Sequence, residues 1–278
     1  MLTYTLSAFA DEVSPDLSEQ LGALERNGIH HVEFRGVWGK NVLDLNDAEV
    51  QDVAETLRKR GVRVSAIGSP IGKIAITDDF APHFARFERA LELTHRFGTQ
   101  YVRVFSFFMP ARSDPARFRD EVLRRMSALC DAAERFDASI VLLHENEKEI
   151  YGDTGDRCAD LARTLNRRNF WLTFDPANFV QVGQRPFTEA YPLLYNRIRY
   201  IHIKDAMLGD GRVVPAGEGD GELRRLLADL ASRDFSGFLS LEPHLAHAGR
   251  NDGFSGAELF GRAADALKGL LAELETTV

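Results

Sequence analysis

The stretch "IVLLHENEKEIYGDT", Ile140–Thr154, contains the transition on which the interpretation of the fold depends. Its apolar run suits the middle of a sheet, yet it stops abruptly at "HENE", residues 144–147, where the side chains are polar and costly to bury. The next segment, "GDRCADLARTLNRR", residues 155–168, has apolar residues three and four positions apart, the spacing of an amphipathic helix. We therefore predict a buried strand, a polar loop and a helix, which together form one β/α unit.

The same alternation of short β-rich runs and longer helical patterns continues along the whole chain. We predict eight strands, at Leu2–Ala8, His31–Arg35, Val62–Ile67, Tyr101–Phe107, Ser139–His144, Phe170–Phe174, Tyr200–Lys204 and Phe238–Leu241. The sixth connection, Gln181–Asn196, contains two prolines and predicts only a short helix. Eight such units without a linker rich in Pro, Gly or Ser predict an α/β fold, a single (β/α)8 TIM barrel forming one domain over residues 1–278. A doubly wound sheet is the main alternative, but "SAFADEVSP", residues 7–15, lacks the glycine fingerprint of a dinucleotide site.

Composition and charge exclude several classes of protein. The formal net charge is −8 and no run of Lys and Arg is present, which argues against a nucleic-acid partner. Cys130 and Cys158 lie within amphipathic patterns, which disfavours a disulfide framework. The N-terminus lacks the regions of a secretory signal, and no apolar run approaches the roughly 20 residues of a membrane helix. We predict a cytoplasmic protein with no nucleic-acid or membrane partner.

The last four predicted strands each end near an ionisable group. In a barrel, residues two apart on a strand share a face, and the active site lies at the C-terminal ends of the strands. Counting in twos along these strands puts four groups on the inward face at the mouth, namely Glu145, Asp175, His202 and Glu242. Three carboxylates placed together repel one another strongly unless their pKa values rise or a cation offsets the charge.

A divalent metal ion is the economical way to offset that charge. Three oxygen ligands and one imidazole suit Mn²⁺, Mg²⁺ or Co²⁺, and Zn²⁺ is also compatible. Glu147 has the same parity as Glu145 but lies further into the loop, so it ranks second as a ligand. The structural alternative for each group is a solvated side chain or an ion pair with a neighbouring Lys or Arg.

Other polar groups near the strand ends are candidates for binding a polar substrate: Glu33, Arg35, Lys73, Arg103 and Lys204. Glu33 and Arg35 could instead pair with each other, or with Arg103 across the barrel. Lys204 could pair with Asp205 or with a metal-bound carboxylate. The three cations Lys73, Arg103 and Lys204 permit a phosphorylated substrate without requiring one.

Two loops beyond the last strands are further candidates. Backbone N–H groups of "PAGEGDG", residues 215–221, could seat a phosphate, yet its two acidic residues oppose an anion. We favour a substrate loop in which Glu218 accepts a hydrogen bond from a substrate hydroxyl. "PHLAHAGRNDG", residues 243–253, predicts another loop, and the role of His244 is left open.

Five motifs together resemble the sugar phosphate isomerase/epimerase family: "LLHENE…YGDT", "FDPANFVQVG", "YIHIKDA", "GEGDG" and "LSLEPH". These xylose isomerase-like barrels include endonuclease IV, keto-sugar 3-epimerases, hydroxypyruvate isomerase and inosose dehydratase. The resemblance implies a metal held by Glu145, Asp175, His202 and Glu242, the same four residues that strand parity indicates. In the epimerases the two glutamates also exchange a proton on opposite faces of a carbon next to a carbonyl, which implies catalytic roles for Glu145 and Glu242.

Two departures from the family pattern narrow the expectation. "IGSPIGK" and "FSFFMP" lack the histidines that endonuclease IV uses for its three-zinc cluster, which disfavours DNA repair. Asn178 stands where many members carry His after the strand-six Asp, so we expect a substrate contact of altered character there.

We therefore expect a divalent-metal-dependent isomerase or epimerase. It would act on a small keto-sugar or related polyol by removing a proton next to a carbonyl, through an enediolate. The runner-up is a metal-dependent dehydratase of the inosose-dehydratase type. A metal- and sugar-binding protein without turnover is a third hypothesis, and a single-metal phosphodiesterase is a fourth. A homo-oligomer is compatible with this class, since barrel enzymes are often dimers or larger.

Overall fold

Eight parallel strands form a nearly closed barrel in the structure, a computed structural model that describes residues 3–245 and 255–277. The strands are β1 (Thr3–Ala8), β2 (His31–Phe34), β3 (Arg63–Ile67), β4 (Tyr101–Val104), β5 (Val141–Glu145), β6 (Phe170–Phe174), β7 (Ile198–Ile203) and β8 (Ser236–Leu241). Their order in the sheet is β1-β8-β7-β6-β5-β4-β3-β2, and β2 contacts β1 where the ends of the sheet meet. The predicted α/β fold class, a TIM barrel, is confirmed.

Helices follow the strands on the outside of the barrel. They are α1 (Leu17–Arg26), α2 (Asp47–Lys59), α3 (Phe80–Phe97), α4 (Arg119–Phe136), α5 (Gly155–Leu165), α6 (Pro176–Gln181), α7 (Tyr191–Leu194), α8 (Leu223–Ser232) and α9 (Gly256–Thr277). Polar caps start several of them, and α2 has a complete capping box, in which Asn46 and Glu49 satisfy each other's backbone N–H groups. The sixth connection contains the short helices α6 and α7, one π turn at Pro186–Ala190 and one 3-10 turn at Tyr195–Arg197, in agreement with the absence of a long helix that its two prolines predict.

The predicted strand bounds differ most from the structure at β4, which ends at Val104 rather than at Phe107. Beyond Val104 the chain bonds to the loop after β3 instead of to a neighbouring strand. The Phe105 amide donates to the Ile71 carbonyl at 2.7 Å, and the Phe107 amide donates to the Gly72 carbonyl at 3.0 Å. The predicted strand residue Leu2 and residues 246–253 of the last predicted loop lie outside the described residues.

The interior of the barrel is packed on the side where the strands begin. Leu143 and Tyr200 are fully buried there, with Tyr101, Trp171 and Phe238 packed against them. These side chains fill the barrel at that end, and in barrels of this class the ligand site lies at the opposite end, where the strands finish. Cys130 and Cys158 are both free and buried. Within the described residues, no helix is long and apolar enough to cross a membrane.

Candidate metal centre

Four buried side chains meet at the C-terminal ends of β5 to β8. Glu145, Asp175, His202 and Glu242 each offer one ligand atom, and these four atoms all lie within 4.8 Å of one another. His202 Nδ1 is 3.1 Å from Glu145 Oε1 and 3.6 Å from both Asp175 Oδ2 and Glu242 Oε2. The residues that the sequence indicated as ligands are thus brought together around one point.

Local structure explains how each side chain reaches this point. Glu145 is the last residue of β5, directly across the sheet from Thr173 of β6. Asp175 follows β6 and caps α6, where its Oδ1 accepts a hydrogen bond from the backbone N–H of Asn178 at 2.9 Å. Asn146 clamps the backbone of Asp175, with its side chain accepting from the Asp175 N–H and donating to the Asp175 carbonyl, both at 2.9 Å. Sequence reasoning missed this role of Asn146, although the amide stands in the quoted "HENE" motif.

Two cations offset part of the negative charge of the cluster. Lys204 Nζ lies 2.8 Å from Asp175 Oδ2 and 2.7 Å from Glu242 Oε2. Arg103 Nη1 lies 3.1 Å from Glu145 Oε2. Of the alternatives that the sequence left open for Lys204, the structure places it against two predicted ligands rather than against Asp205.

Three atoms of the cluster test whether these residues fit a metal ion. Glu145 Oε2, Asp175 Oδ2 and His202 Nδ1 are buried and make no hydrogen bond of normal geometry to a described residue, although Arg103 and Lys204 lie within ion-pair distance of the two oxygens. Unsatisfied buried polar atoms are rare, and one recognised reason for them is an ion at the site. Two hard oxygens and an imidazole nitrogen left open in this way suit a divalent cation.

The charge states of the cluster follow from its surroundings. Burial raises the pKa of Glu145, but attraction from His202 and Arg103 outweighs burial and lowers that pKa to about 2. Burial likewise opposes ionisation of Glu242, yet Lys204 and nearby histidines hold its pKa well below the usual range. Burial dominates at Asp175 and raises its pKa. Both glutamates are therefore anionic at neutral pH, as a ligand or a base must be.

His202 carries the opposite shift. Burial lowers its pKa, but the Glu145 and Glu33 carboxylates raise it well above the usual range. Coordination through Nδ1 needs the neutral imidazole, so binding of a cation here has to release a proton.

The floor and rim of the mouth come from the loop after β1. The Phe9 ring lies under two guanidinium groups, 4.5 Å from that of Arg35 and 4.9 Å from that of Arg103. Asp11 Oδ2 accepts from Arg35 Nε at 2.7 Å, and Glu12 Oε1 is 2.9 Å from His244 Nε2. Sequence reasoning missed Asp11 and Glu12, although counting in twos beyond Ser7 of β1 would have indicated Asp11.

The predicted substrate-binding residues divide into two groups. Arg35, Arg103, Asn178 and Lys204 border the cluster, and Asn178 Nδ2 lies 3.3 Å from Glu145 Oε1. The other three lie elsewhere. Lys73 forms an ion pair at 3.1 Å with Glu147, the residue ranked second as a metal ligand. Glu33 lies buried beneath His202. Glu218 is exposed and pairs with Arg262 of α9 at 3.3 Å, so its contact with a substrate hydroxyl stays a prediction.

The glycine-rich loop of residues 215–221 is organised by Asp205. Gly217, Gly219 and Gly221 donate their backbone N–H groups to its carboxylate at 2.7 to 3.1 Å. A Cβ at Gly219 or Gly221 would lie 2.5 Å from Asp205 Oδ1, so glycine is needed at both positions. These N–H groups are occupied by an internal carboxylate, which removes the basis for seating a phosphate on them.

Comparison with known proteins agrees with the fold. Residues 21–273 match the xylose isomerase-like TIM barrel family, and the chain belongs to that family. Among curated proteins it is similar to the fructoselysine 3-epimerase of Escherichia coli O157:H7, with 24% identity over 156 residues. That match covers 55% of this chain and 56% of the epimerase, so the chain spans about half the length of the curated relative.

Solved structures share the fold along almost the whole chain. A D-tagatose 3-epimerase-like protein has 15% identity and a TM-score of 0.78, covering 98% of this chain and 99% of its own. The IOLI protein with a bound zinc atom has 19% identity and a TM-score of 0.76, covering 97% and 99%. The probable 3-DHS dehydratase AsbF of Bacillus anthracis has 18% identity and a TM-score of 0.74, covering 96% and 99%. At these identities the likeness shows the fold alone.

Proposed function

We propose that this chain is a divalent-metal-dependent isomerase or epimerase that acts on a small keto-sugar or related polyol. The observation that carries the proposal is the meeting of three carboxylates and one imidazole, with open ligand atoms, at the mouth of the barrel. Similarity to a fructoselysine 3-epimerase and to a D-tagatose 3-epimerase-like protein supports the reaction class.

Glu145, Asp175, His202 and Glu242 would hold the cation, which is Mn²⁺, Mg²⁺, Co²⁺ or Zn²⁺ by the chemistry of the donors. The IOLI protein, which shares the fold, binds a zinc atom, and this supports a bound cation in the proposal. A bound divalent cation would polarise a substrate carbonyl and stabilise the negative charge that develops on its oxygen.

The two glutamates would move the proton. They come from β5 and β8, with β6 and β7 between them, so they approach the mouth from different sides of His202. One carboxylate would take the proton from the carbon next to the carbonyl, and the other, after taking up a proton from water, would return one to the opposite face. Arg103 and Asn178 orient Glu145, and Arg35 orients Glu242 from 3.4 Å.

A dehydratase is the second candidate, and one contact favours it. His244 lies at the mouth with its Nε2 3.8 Å from Glu242 Oε1, and its side chain is 28% exposed. A proton donor at this position could protonate a departing β-hydroxyl, and similarity to a probable 3-DHS dehydratase supports the idea.

The test is a screen of ketoses and inososes in D₂O with protein loaded with Mn²⁺. We expect deuterium to enter the carbon next to the carbonyl, as measured by mass spectrometry. Glu145→Gln and Glu242→Gln should each lower the exchange rate by about 100-fold or more, because a positioned base contributes this much. The metal content of each variant is measured in parallel.

Glu149→Gln is the matched control, because Glu149 lies exposed in the loop that follows Glu145 and should keep the wild-type exchange rate. Loss of water with a new ultraviolet chromophore would select the dehydratase. Ligand binding without any exchange, unchanged in Glu145→Gln, would select a binding protein and contradict the enzymatic proposal.

A further inference from the structure

Glu33 lies beneath the candidate metal centre rather than beside a substrate. It is on β2, its side chain is 1% exposed, and its Oε2 lies 3.1 Å from His202 Nε2. The same oxygen accepts a hydrogen bond from Ser240 Oγ at 3.0 Å. A carboxylate held and covered in this way contacts the protein itself, and its predicted role in substrate binding stays a prediction.

The contact with Glu33 determines which nitrogen of His202 is free. A carboxylate accepts hydrogen bonds, so Nε2 must carry the proton that it shares with Glu33. In the neutral imidazole the lone pair then lies on Nδ1, the atom that is 3.1 to 3.6 Å from the three other predicted ligands. Glu33 thus selects the tautomer that can bind a cation.

A buried layer of hydroxyl groups holds Glu33 in turn. Ser240 bonds both Glu33 and the Tyr200 hydroxyl, which also lies 2.8 Å from Ser65 Oγ. Ser7 Oγ belongs to the same layer and forms a hydrogen bond with Ser65 Oγ at 2.7 Å. Tyr200 and Ser240 each stand two positions before a predicted ligand, so the layer lies directly under the ligand layer on the same inward face.

We infer that Glu33 is a positioning residue for the cation, acting through the ring of His202. The inference rests on the proposed function, since it assigns a role within that same site. Outer partners of this kind fix the orientation of metal-binding histidines and raise their basicity, and their loss typically lowers metal affinity about 10- to 100-fold.

The first measurement is the dissociation constant for Mn²⁺, obtained by calorimetric titration of chelator-stripped protein. Glu33→Gln keeps an acceptor oxygen but loses the charge, and we expect the dissociation constant to rise about 10-fold or more. Glu33→Ala loses both, so its constant should rise further. Ser7→Ala is the matched control, because it removes a group from the same layer without touching Glu33, and its effect should stay below about 3-fold.

The second measurement separates positioning from simple loss of structure. In ¹⁵N-labelled protein with Zn²⁺, the His202 ring should be protonated on Nε2 in the wild type and keep that state in Glu33→Gln. In Glu33→Ala the ring can turn over and bind Zn²⁺ through either nitrogen, so signals of both protonation states should appear. The His202 signal is assigned from its absence in His202→Gln, and urea denaturation reports whether each variant is folded.

The outcomes distinguish this inference from the proposed function. Equal Mn²⁺ affinity in wild type, Glu33→Gln and Glu33→Ala would overturn the inference alone, as would an equal loss in Ser7→Ala. Wild-type protein that binds none of Mn²⁺, Mg²⁺, Co²⁺ and Zn²⁺ would overturn the proposed function and the inference with it.

Discussion

At the scale of single residues, Lys204 offsets negative charge at the mouth of the barrel. Its ammonium group is buried and bridges Asp175 and Glu242. Burial opposes the charge, but the neighbouring carboxylates raise the pKa of Lys204 well above its usual range. The lysine therefore stays charged and offsets two carboxylates that would otherwise be buried next to each other.

We predict that Lys204→Met strongly destabilises the protein when divalent ions are chelated. Removing one partner of a buried ion pair typically costs about 3 to 5 kcal/mol, because it leaves uncompensated charge in the interior. Added Mn²⁺ should recover part of the loss, since a cation can offset the same carboxylates. Urea denaturation with EDTA and with Mn²⁺ measures both effects.

Lys73→Met is the control for this prediction. Lys73 is 28% exposed and pairs with Glu147 at 3.1 Å, so its loss should cost about 1 kcal/mol or less. A Lys204→Met variant no less stable than Lys73→Met would show that the buried pair contributes little.

At the scale of elements, the loop after β3 is held between α3 and the end of β4. The Gly72 backbone N–H donates to His83 Nε2 of α3 at 2.7 Å. Gly72 has a φ of 93°, and a Cβ there would lie 2.0 Å from the Phe105 carbonyl oxygen. This close approach coincides with the end of the regular pairing of β4, and the next residue, Lys73, places its ammonium group 3.1 Å from Glu147.

We predict that His83 makes the protein less stable in mild acid. Burial lowers its pKa to about 4, with Arg86 and Arg125 adding to the effect. In the unfolded chain the pKa is about 6.5, so the unfolded state alone gains a proton as the pH falls. The contribution of His83 to the free energy of unfolding is fully present above about pH 6.5, and it falls by up to about 3 kcal/mol as the pH approaches 4.

His83→Gln tests this pH dependence, because Gln offers an acceptor for the Gly72 N–H but does not titrate. The free energy of unfolding from urea titrations at pH 7, 6 and 5 should fall less steeply in the variant. The expected difference between pH 6 and 5 is about 1 kcal/mol. Parallel slopes in variant and wild type would contradict the assignment.

At the scale of the whole molecule, closing the barrel brings distant parts of the chain into one charged mouth. Glu33 and Ser240 are 207 positions apart in the sequence, and so are Arg35 and Glu242. A cation bound at such a point joins strands from both halves of the chain. Metal binding should therefore be linked to global unfolding.

We predict that Mn²⁺ raises the free energy of unfolding relative to EDTA-treated protein. The gain is about 2.7 kcal/mol when free Mn²⁺ is 100-fold above its dissociation constant. His202→Gln should lose most of the gain because it removes a central ligand. His31→Gln should keep it, since His31 opens β2 at the opposite end of the barrel. The prediction would be contradicted if the unfolding midpoint of the wild-type protein did not change when Mn²⁺, Mg²⁺, Co²⁺ or Zn²⁺ was added.

Several properties of the whole molecule stay predictions. They are the single domain over residues 1–278, the cytoplasmic location, the absence of a nucleic-acid partner and a homo-oligomeric state. Within the described residues, large apolar side chains such as Trp38, Leu193 and Leu208 are exposed at separate places. Sedimentation of the purified protein measures the oligomeric state directly.

The sequence by itself determined the barrel and the meeting point of Glu145, Asp175, His202 and Glu242. Both depend on local periodicity, because strand parity selects the inward face and the barrel places all strand ends at one mouth. Only the tertiary structure decided which partner each charged side chain takes. Lys73 reaches Glu147, Glu218 reaches Arg262, and Glu33 lies under His202.

The physical reason is that an ion pair or hydrogen bond depends on distances of a few ångströms between side chains that are far apart in sequence. Asp205 illustrates it best. Its carboxylate accepts from backbone N–H groups 12 to 16 positions away, a set of contacts that no periodicity encodes. Packing of the closed barrel, rather than any local pattern, brought those groups together.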